Sequence, residues 1–186
     1  MREIIKAAEC NLSAVNYYFG NKKKLYFEVF RSRWVPRANR LHECFQNFLA
    51  TQGPASPSSV VEALARTFLE GPLSDEERQR HYQLMTRELA QPGEAFDLVV
   101  EEIMRRHHSE LGNLLRSIAP EGVDKESLTL KIMSINAMVH YFNFARLAIT
   151  RLTGRAYDAS FKARLVEHIT EFSLHGLGAT KTEKSQ

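Results

Sequence analysis

Apolar residues recur at spacings of three and four along most of the chain, the period of a helix with one buried face. Sustained alternation is missing, and no Asn-Gly or Asp-Gly turn joins two apolar runs, so no strands are predicted. The densest pattern lies in 125–152. There Leu128, Ile132, Ile135, Val139, Phe142 and Ile149 share one face, while Leu130, Met133, Ala137, Tyr141, Ala145 and Ala148 fill a second. A helix apolar on two sides must be covered on two sides. Phe161, Leu165, Val166, Ile169 and Phe172 make a further stripe in 158–176. Surplus apolar surface on both helices predicts a four-helix bundle shared with a second copy, a homodimer through 125–152 and 158–176. The competing expectation is that earlier helices of the same chain cover both faces.

Breaks are predicted at 51–59, 70–75, 91–93, 119–124 and 153–158, where glycine, proline and small polar residues cluster. Start signals follow several of them: Ser74 with Glu77 as a capping box, Asp124, and Asp158. Gly154 and Gly176 stand where C-terminal caps belong. The tail 177–186 is polar and is expected to be disordered. No internal repeat is present. The fold class expected is all-α.

Near the N-terminus the helices are shorter. Arg2–Ala8 has Ile4, Ile5 and Ala8 on one side, Glu9-Cys10-Asn11 is a three-residue break, and Asn11 can cap a helix from Leu12 to Phe19. Leu12, Val15 and Phe19 form its inner face, and the rest of it is small or polar. That is a helix-turn-helix. Small residues at Ser13 and Ala14 allow close approach to a groove, Asn16 can donate and accept at base edges, and the hydroxyls of Tyr17 and Tyr18 can reach phosphates. Asn21 caps the next helix, whose free N–H groups and Lys22 suit a further phosphate. That helix runs to Ala50, with Pro36 expected to bend it.

Charge strengthens this picture. Residues 1–50 hold nine lysines and arginines against four glutamates, whereas the remaining 136 hold 16 bases and 18 acids. A lysine run alone reads as a solvated helix face; combined with the helix-turn-helix, the basic head suits a polyanion. With 44% hydrophobic residues the composition is globular. No apolar run approaches a membrane span, and MREIIKAAEC is not a signal peptide. Cys10 and Cys44 stand far apart without a CxxC motif, which fits free thiols in the cytoplasm.

Enzyme signatures are not found. GxSxG, P-loop and dinucleotide-binding glycine patterns are missing, and no Glu-x-x-His pair suits a di-iron bundle. His107 and His108 are adjacent on a helix, so they diverge by about 100° and cannot chelate one ion together. They read as a polar lining or a solvated pair. No metal and no cofactor is expected. In the body, Phe68, Met85, Glu88, His108, His140, Tyr141, Phe144 and Arg146 are candidates to line a ligand cavity, with ordinary core packing as the alternative for each. Arg146 interrupts an apolar seam and needs either an anionic ligand or a salt bridge.

The stretch NLSAVNYYFGNKKKLY resembles the recognition helix and following turn of the TetR family of bacterial transcriptional repressors. RELAQPGEAFDLVVEEIMRRHHSEL and AMVHYFNFARLAITRL resemble the ligand-binding region of a subgroup that also carries VNY before the Phe, so the likeness spans about 1–175. It implies a dimeric regulator with a DNA-binding head (1–40) and a ligand-binding and dimerisation domain (41–176). Such a protein binds a palindromic double-stranded DNA operator and is released by a small-molecule inducer. Carried over by position, Asn11, Leu12, Ser13, Ala14 and Asn16 meet bases, and Tyr17, Tyr18 and Lys22 grip phosphates. Two departures stand out: Glu9 where the family has Gly in the turn, and Tyr18 where His is common. A head of this family has three helices, and this chain begins inside the second. The expectation is therefore an annotated start downstream of the real one, or a natural truncation, with Ile4, Ile5, Val15 and Phe19 short of a covering partner. A dimeric helical protein that keeps its ligand and has lost DNA binding is the alternative.

Overall fold

The computed structural model describes residues 2–117 and 124–178. All regular structure among them is helical. Helices α1 (Arg2–Ala7), α2 (Leu12–Phe19) and α3 (Lys22–Val29) form the head. The chain runs on through a π-helical segment, Phe30–Trp34, into α4 (Val35–Thr51). The body adds α5 (Pro57–Leu69), α6 (Asp75–Ala90), a second π-helical segment (Leu98–Met104), α7 (Arg105–Arg116), α8 (Lys125–Phe144), α9 (Arg146–Thr153) and α10 (Ala159–Leu177).

Capping chemistry explains most starts. Asn11 and Asn21 accept from the backbone N–H groups of Ala14 (2.7 Å) and Lys24 (2.9 Å). Ser56 with Ser59, and Ser74 with Glu77, form capping boxes. Asp124 and Asp158 accept from the N–H groups of Ser127 and Phe161. Each such cap is worth about 1 kcal/mol. The turn before α2 contains Glu9 at φ 49°, the one non-glycine residue with positive φ among the described residues. Holding a side chain there costs roughly 1 kcal/mol.

α5 is the central post of the body. Val60, Val61, Ala63, Leu64, Ala65 and Leu69 are all buried, so the helix is covered nearly all round. It packs against α4, α7, α8 and α10. The chain leaves α5 through Gly71, where a Cβ would lie 2.1 Å from the Thr67 carbonyl oxygen. Buried Arg78 donates to the carbonyls of Phe68, Gly71 and Leu73, a cation placed at the negative end of the α5 dipole.

A second cluster joins head to body, with Phe30, Trp34 and Ala38 packed on Tyr82, Met85, Leu98 and Val99.

Three expectations need correction. The 125–152 helix is two helices, broken at Ala145. The Tyr157 hydroxyl donates to the Phe142 carbonyl at 2.5 Å and occupies an acceptor that a continuous helix would use. Gly176 lies inside α10; the cap is Gly178, at φ 78°. The helix expected over 22–50 is not one plain α-helix: the Val35 N–H reaches back five residues to the Phe30 carbonyl, so a π turn precedes Pro36, which stands in the first turn of α4. The predicted break at 119–124 falls, except for Asp124, outside the described residues, as does the tail after Gly178.

Of the two apolar faces in 125–152, the one carrying Leu128, Ile132, Ile135, Val139 and Ile149 is buried. On the other, Leu130, Met133 and Tyr141 are exposed, as are Phe144, Leu147 and Leu152 beyond them and Phe172 on α10. The described helices therefore cover one face only.

Candidate functional site

The head presents α2 outward. Tyr17 and Tyr18 are 84% and 76% exposed, and Leu12, Ser13 and Asn16 are also solvent-facing. Ala14 is half-buried and Val15 is buried as the inner residue. Lys22 stands exposed in the first turn of α3 with no ion pair among the described residues. The sequence-predicted set thus lies along one helix and the next turn. Asn11 is the exception in kind: its side-chain oxygen is already engaged as the cap of α2. Ile4 and Leu12 are exposed, Ile5 and Phe19 half-covered.

Lysine 23 faces the body instead of solvent alone. Its ammonium lies 2.7 Å from Glu94, and that carboxylate raises the lysine pKa while its own is lowered. One helical turn later the Tyr26 hydroxyl donates to Glu88 at 2.7 Å. Burial, then the Glu88 hydrogen bond, push the phenol up to about 12. Arg87 lies over the Tyr26 ring at 4.9 Å. Glu88 is 1% exposed, and its other oxygen accepts from the N–H groups of Gly93 (3.1 Å) and Ala95 (3.2 Å). A Cβ on Gly93 would sit 3.2 Å from both Glu88 oxygens, so the close approach favours glycine. Glu88, a candidate for ligand contact, is spent on clamping α3 and the 91–95 turn to α6.

Behind the clamp lies a cavity of about 70 Å³. Trp34 and Ala38 wall it on one side, Phe68 and Met85 on another, and His81, His107 and His140 project from α6, α7 and α8. The Trp34 indole donates to the His81 carbonyl at 3.1 Å, and the two rings stack at 4.8 Å, 3° from parallel. The His81 Nδ1 is buried without a hydrogen-bond partner. Burial, with His140, Arg37 and Arg78 adding like charge, depresses its pKa to about 3. Burial likewise takes His107 and His140 down to about 4, although Asn136 partly offsets it for His107. All three imidazoles are neutral at physiological pH. His140 Nδ1 lies 3.2 Å from the Tyr82 hydroxyl.

Met104, His107 and His140 also wall an outer pocket of about 460 Å³, open to solvent between α7 and α8 and lined further by His108 and Asn136. The two spaces together match the size and mixed apolar–polar character of small-molecule sites. Both π-helical segments border them, through Trp34 and through Ile103 and Met104. A larger groove, about 600 Å³, lies on the exposed apolar side of α8 and α10, walled by Leu130 and Phe172.

Of the candidate ligand residues, Phe68, Met85, His108 and His140 are brought to these two pockets. Tyr141 and Phe144 point to solvent on α8. Arg146 pairs with Asp75 at 3.1 Å and lies over the Tyr157 ring at 5.0 Å. The sequence reading missed Trp34, Thr67 and His81. A lone tryptophan in a basic stretch and a single histidine in a charged helix gave no periodic signal. No group of three or more metal-ligating side chains stands together among the described residues.

A helical head with an outward recognition-type helix, joined by one long helical segment to an all-helical body, defines a regulator of the TetR type. Residues 57–177 match the family described as the C-terminal domain of the HTH-type transcriptional dual regulator CecR, and the chain belongs to that family. The matched span covers α5 to α10 and stops short of the head. No curated protein matches the chain. Among the described residues, no helix is long and apolar enough to cross a membrane.

Proposed function

We propose that the protein is a ligand-gated repressor that binds a palindromic DNA operator as a homodimer and leaves it when a small molecule occupies the body. The observation that carries this reading is the outward α2, with Asn16, Tyr17 and Tyr18 exposed and, at the next helix start, an exposed Lys22 that has no ion pair among the described residues. Base contacts fall to Leu12, Ser13, Ala14 and Asn16, and phosphate contacts to Tyr17, Tyr18 and Lys22. The division between reading head and sensing body falls within the continuous segment from α3 to α4. Trp34 lies on that segment, so occupation of the cavity reaches the head through one rigid element. Two heads must hold their helices about 34–36 Å apart to enter successive grooves, so a modest swing suffices for release. The exposed Leu130, Met133, Phe144 and Phe172 support pairing through α8 and α10.

Fluorescence anisotropy on the intergenic duplex upstream of the gene, across a salt series, tests this. Affinity should fall steeply with salt, and Lys22→Ala should reduce the log–log slope by about 0.9. Phe172→Asp should give a monomer in sedimentation and lose operator binding. A second reading, a dimeric sensor without DNA binding, is favoured by the exposure of Ile4 and Leu12, which leaves the head with Val15 as its buried apolar residue. Absence of salt-sensitive binding at low ionic strength would select it.

A further inference from the structure

Resting on the DNA-binding reading, we propose that Glu94 is a built-in competitor for a DNA phosphate: its carboxylate holds the Lys23 ammonium against the body, and that pair opens when the head grips DNA. Ammonium and carboxylate stand 2.7 Å apart, across the boundary between head and body. Both side chains are accessible, at 78% and 36% exposure, so an incoming phosphate can reach the pair. Each partner favours the charged form of the other, which raises the lysine pKa and lowers that of the glutamate.

The first turn of α3 carries the wrong charge for its dipole. A helix start is partly positive and favours acids, as α6 shows with Asp75, Glu76 and Glu77. Helix α3 opens instead with Lys22, Lys23 and Lys24 and has no acid in its first turn. Three like charges at a positive end repel one another and the dipole, and an anion relieves them. Among the described residues, the one ion pair these lysines make is that of Lys23 with Glu94. Lys24 folds back over Gly20, where an added Cβ would meet its Cδ at 3.4 Å, and Lys22 is exposed.

Helical spacing puts Lys23 on the face of α3 that meets the body. Tyr26, three residues on, shares that face and donates to Glu88. Glu88 also accepts from the N–H groups of Gly93 and Ala95, and Ala95 is fully buried, so both neighbours of Glu94 are anchored. The carboxylate is thereby presented to α3 from a fixed turn. Lys22 adjoins Lys23, with its Cα about 3.8 Å away, so a phosphate backbone that reaches Lys22 passes close to Lys23. A phosphate and Glu94 cannot both crowd that ammonium without repelling each other. Contact with DNA therefore exchanges one anion for another, and the head gives up one of its ties to the body as it engages.

Fluorescence anisotropy of the full chain on two duplexes tests this: the intergenic duplex upstream of the gene, and an unrelated duplex of equal length. Phosphate contacts carry no sequence information, so the effect should appear on both. Glu94→Gln should bind each duplex about threefold more tightly at low salt, and the gain should shrink as salt screens the parent's ion pair. Lys23→Ala, made in the Glu94→Gln protein, should lower its log–log salt slope by about 0.9 per head, the mark of a phosphate contact. In a Lys23→Ala background, Glu94→Gln should leave affinity unchanged. A gain that persists without Lys23 would be general repulsion between Glu94 and DNA, and overturns the proposal. Weaker binding by Glu94→Gln, the result if the pair merely props the head, overturns it too, as does unchanged affinity. The two duplexes separate this claim from the reading beneath it. Preference for the intergenic duplex with no gain from Glu94→Gln refutes the competitor and leaves operator binding standing. A Lys23-dependent gain on both duplexes without such preference upholds the competitor and refutes operator recognition. No binding of either duplex by any variant refutes both.

Discussion

Head and body use the same kind of element and hold it in different ways. In the body, α5 is buried on nearly every side, and α8 and α10 each bury a full stripe. In α1 and α2 the single buried side chain is Val15. The head is held one helix further on, by the apolar cluster around Phe30 and Trp34 and by a few directed contacts: Tyr26 to Glu88, Lys23 to Glu94, and Trp34 on His81. Non-directional burial on all sides makes the body a rigid scaffold, whereas the head is tied to it at one end only. The outward face of α2 thus sits on the least buried part of the molecule, and the cavity beside Trp34 lies at its junction with the body.

Substitutions in the two regions should differ most in stability. Ile132→Ala, at 1% exposure in the body core, should lower the unfolding free energy by roughly 2–5 kcal/mol. Leu12→Ala, at 49% exposure in the head, should stay within about 0.5 kcal/mol by chemical denaturation. Comparable losses would mean that the head is packed as firmly as the body.

Glu88→Gln addresses the attachment itself. Glutamine presents an amide to one of the donors that the two oxygens now accept, and the hydrogen bonds to a charged group are lost. A loss of about 1.5–3 kcal/mol is expected. Hydrogen exchange should accelerate in α3 and leave α5 unchanged, and the Tyr26 phenol should titrate below about 12 but still above its ordinary 10, since burial persists. Unchanged exchange in α3 would show that Glu88 serves the body alone.

The smallest effect per group is acid sensitivity, and it belongs to the body, since no histidine precedes His42. His81, His107 and His140 have folded values depressed from 6.5 to about 3, 4 and 4. Below 6.5 the unfolded chain takes up protons that the folded protein refuses, so stability falls as pH drops towards 4. Each histidine should contribute about 1 kcal/mol of loss between pH 7 and 5.5. His81→Phe should remove its share; a pH profile identical to the parent's would show that His81 is accessible to protons when folded.

Much of the fold was legible because capping and periodicity are local. Asn11, Asn21, Ser74, Asp124 and Asp158 each cap the helix expected of them, and Leu128, Ile132, Ile135 and Val139 went inside as their spacing required. The outward residues of α2 were legible for the same reason. What local pattern does not encode is a bond between distant segments. Tyr157 takes the Phe142 carbonyl from 15 residues away, where the helix breaks, and Arg146 is neutralised by Asp75 from 71 away. Glu88 reads as a cavity residue on its own helix, and only the arrival of Tyr26, 62 residues earlier, makes it a clamp. The cavity beside Trp34 is the same kind of object. Trp34, Thr67, His81, His107 and His140 come from five separate stretches, and their shared wall exists only once α5 has gathered the helices around it. The chain's order of apolar and capping residues determined which segments are helical and which face each would bury. Tertiary packing decided which polar side chains are left without partners inside, because that depends on what every other segment brings to the same space.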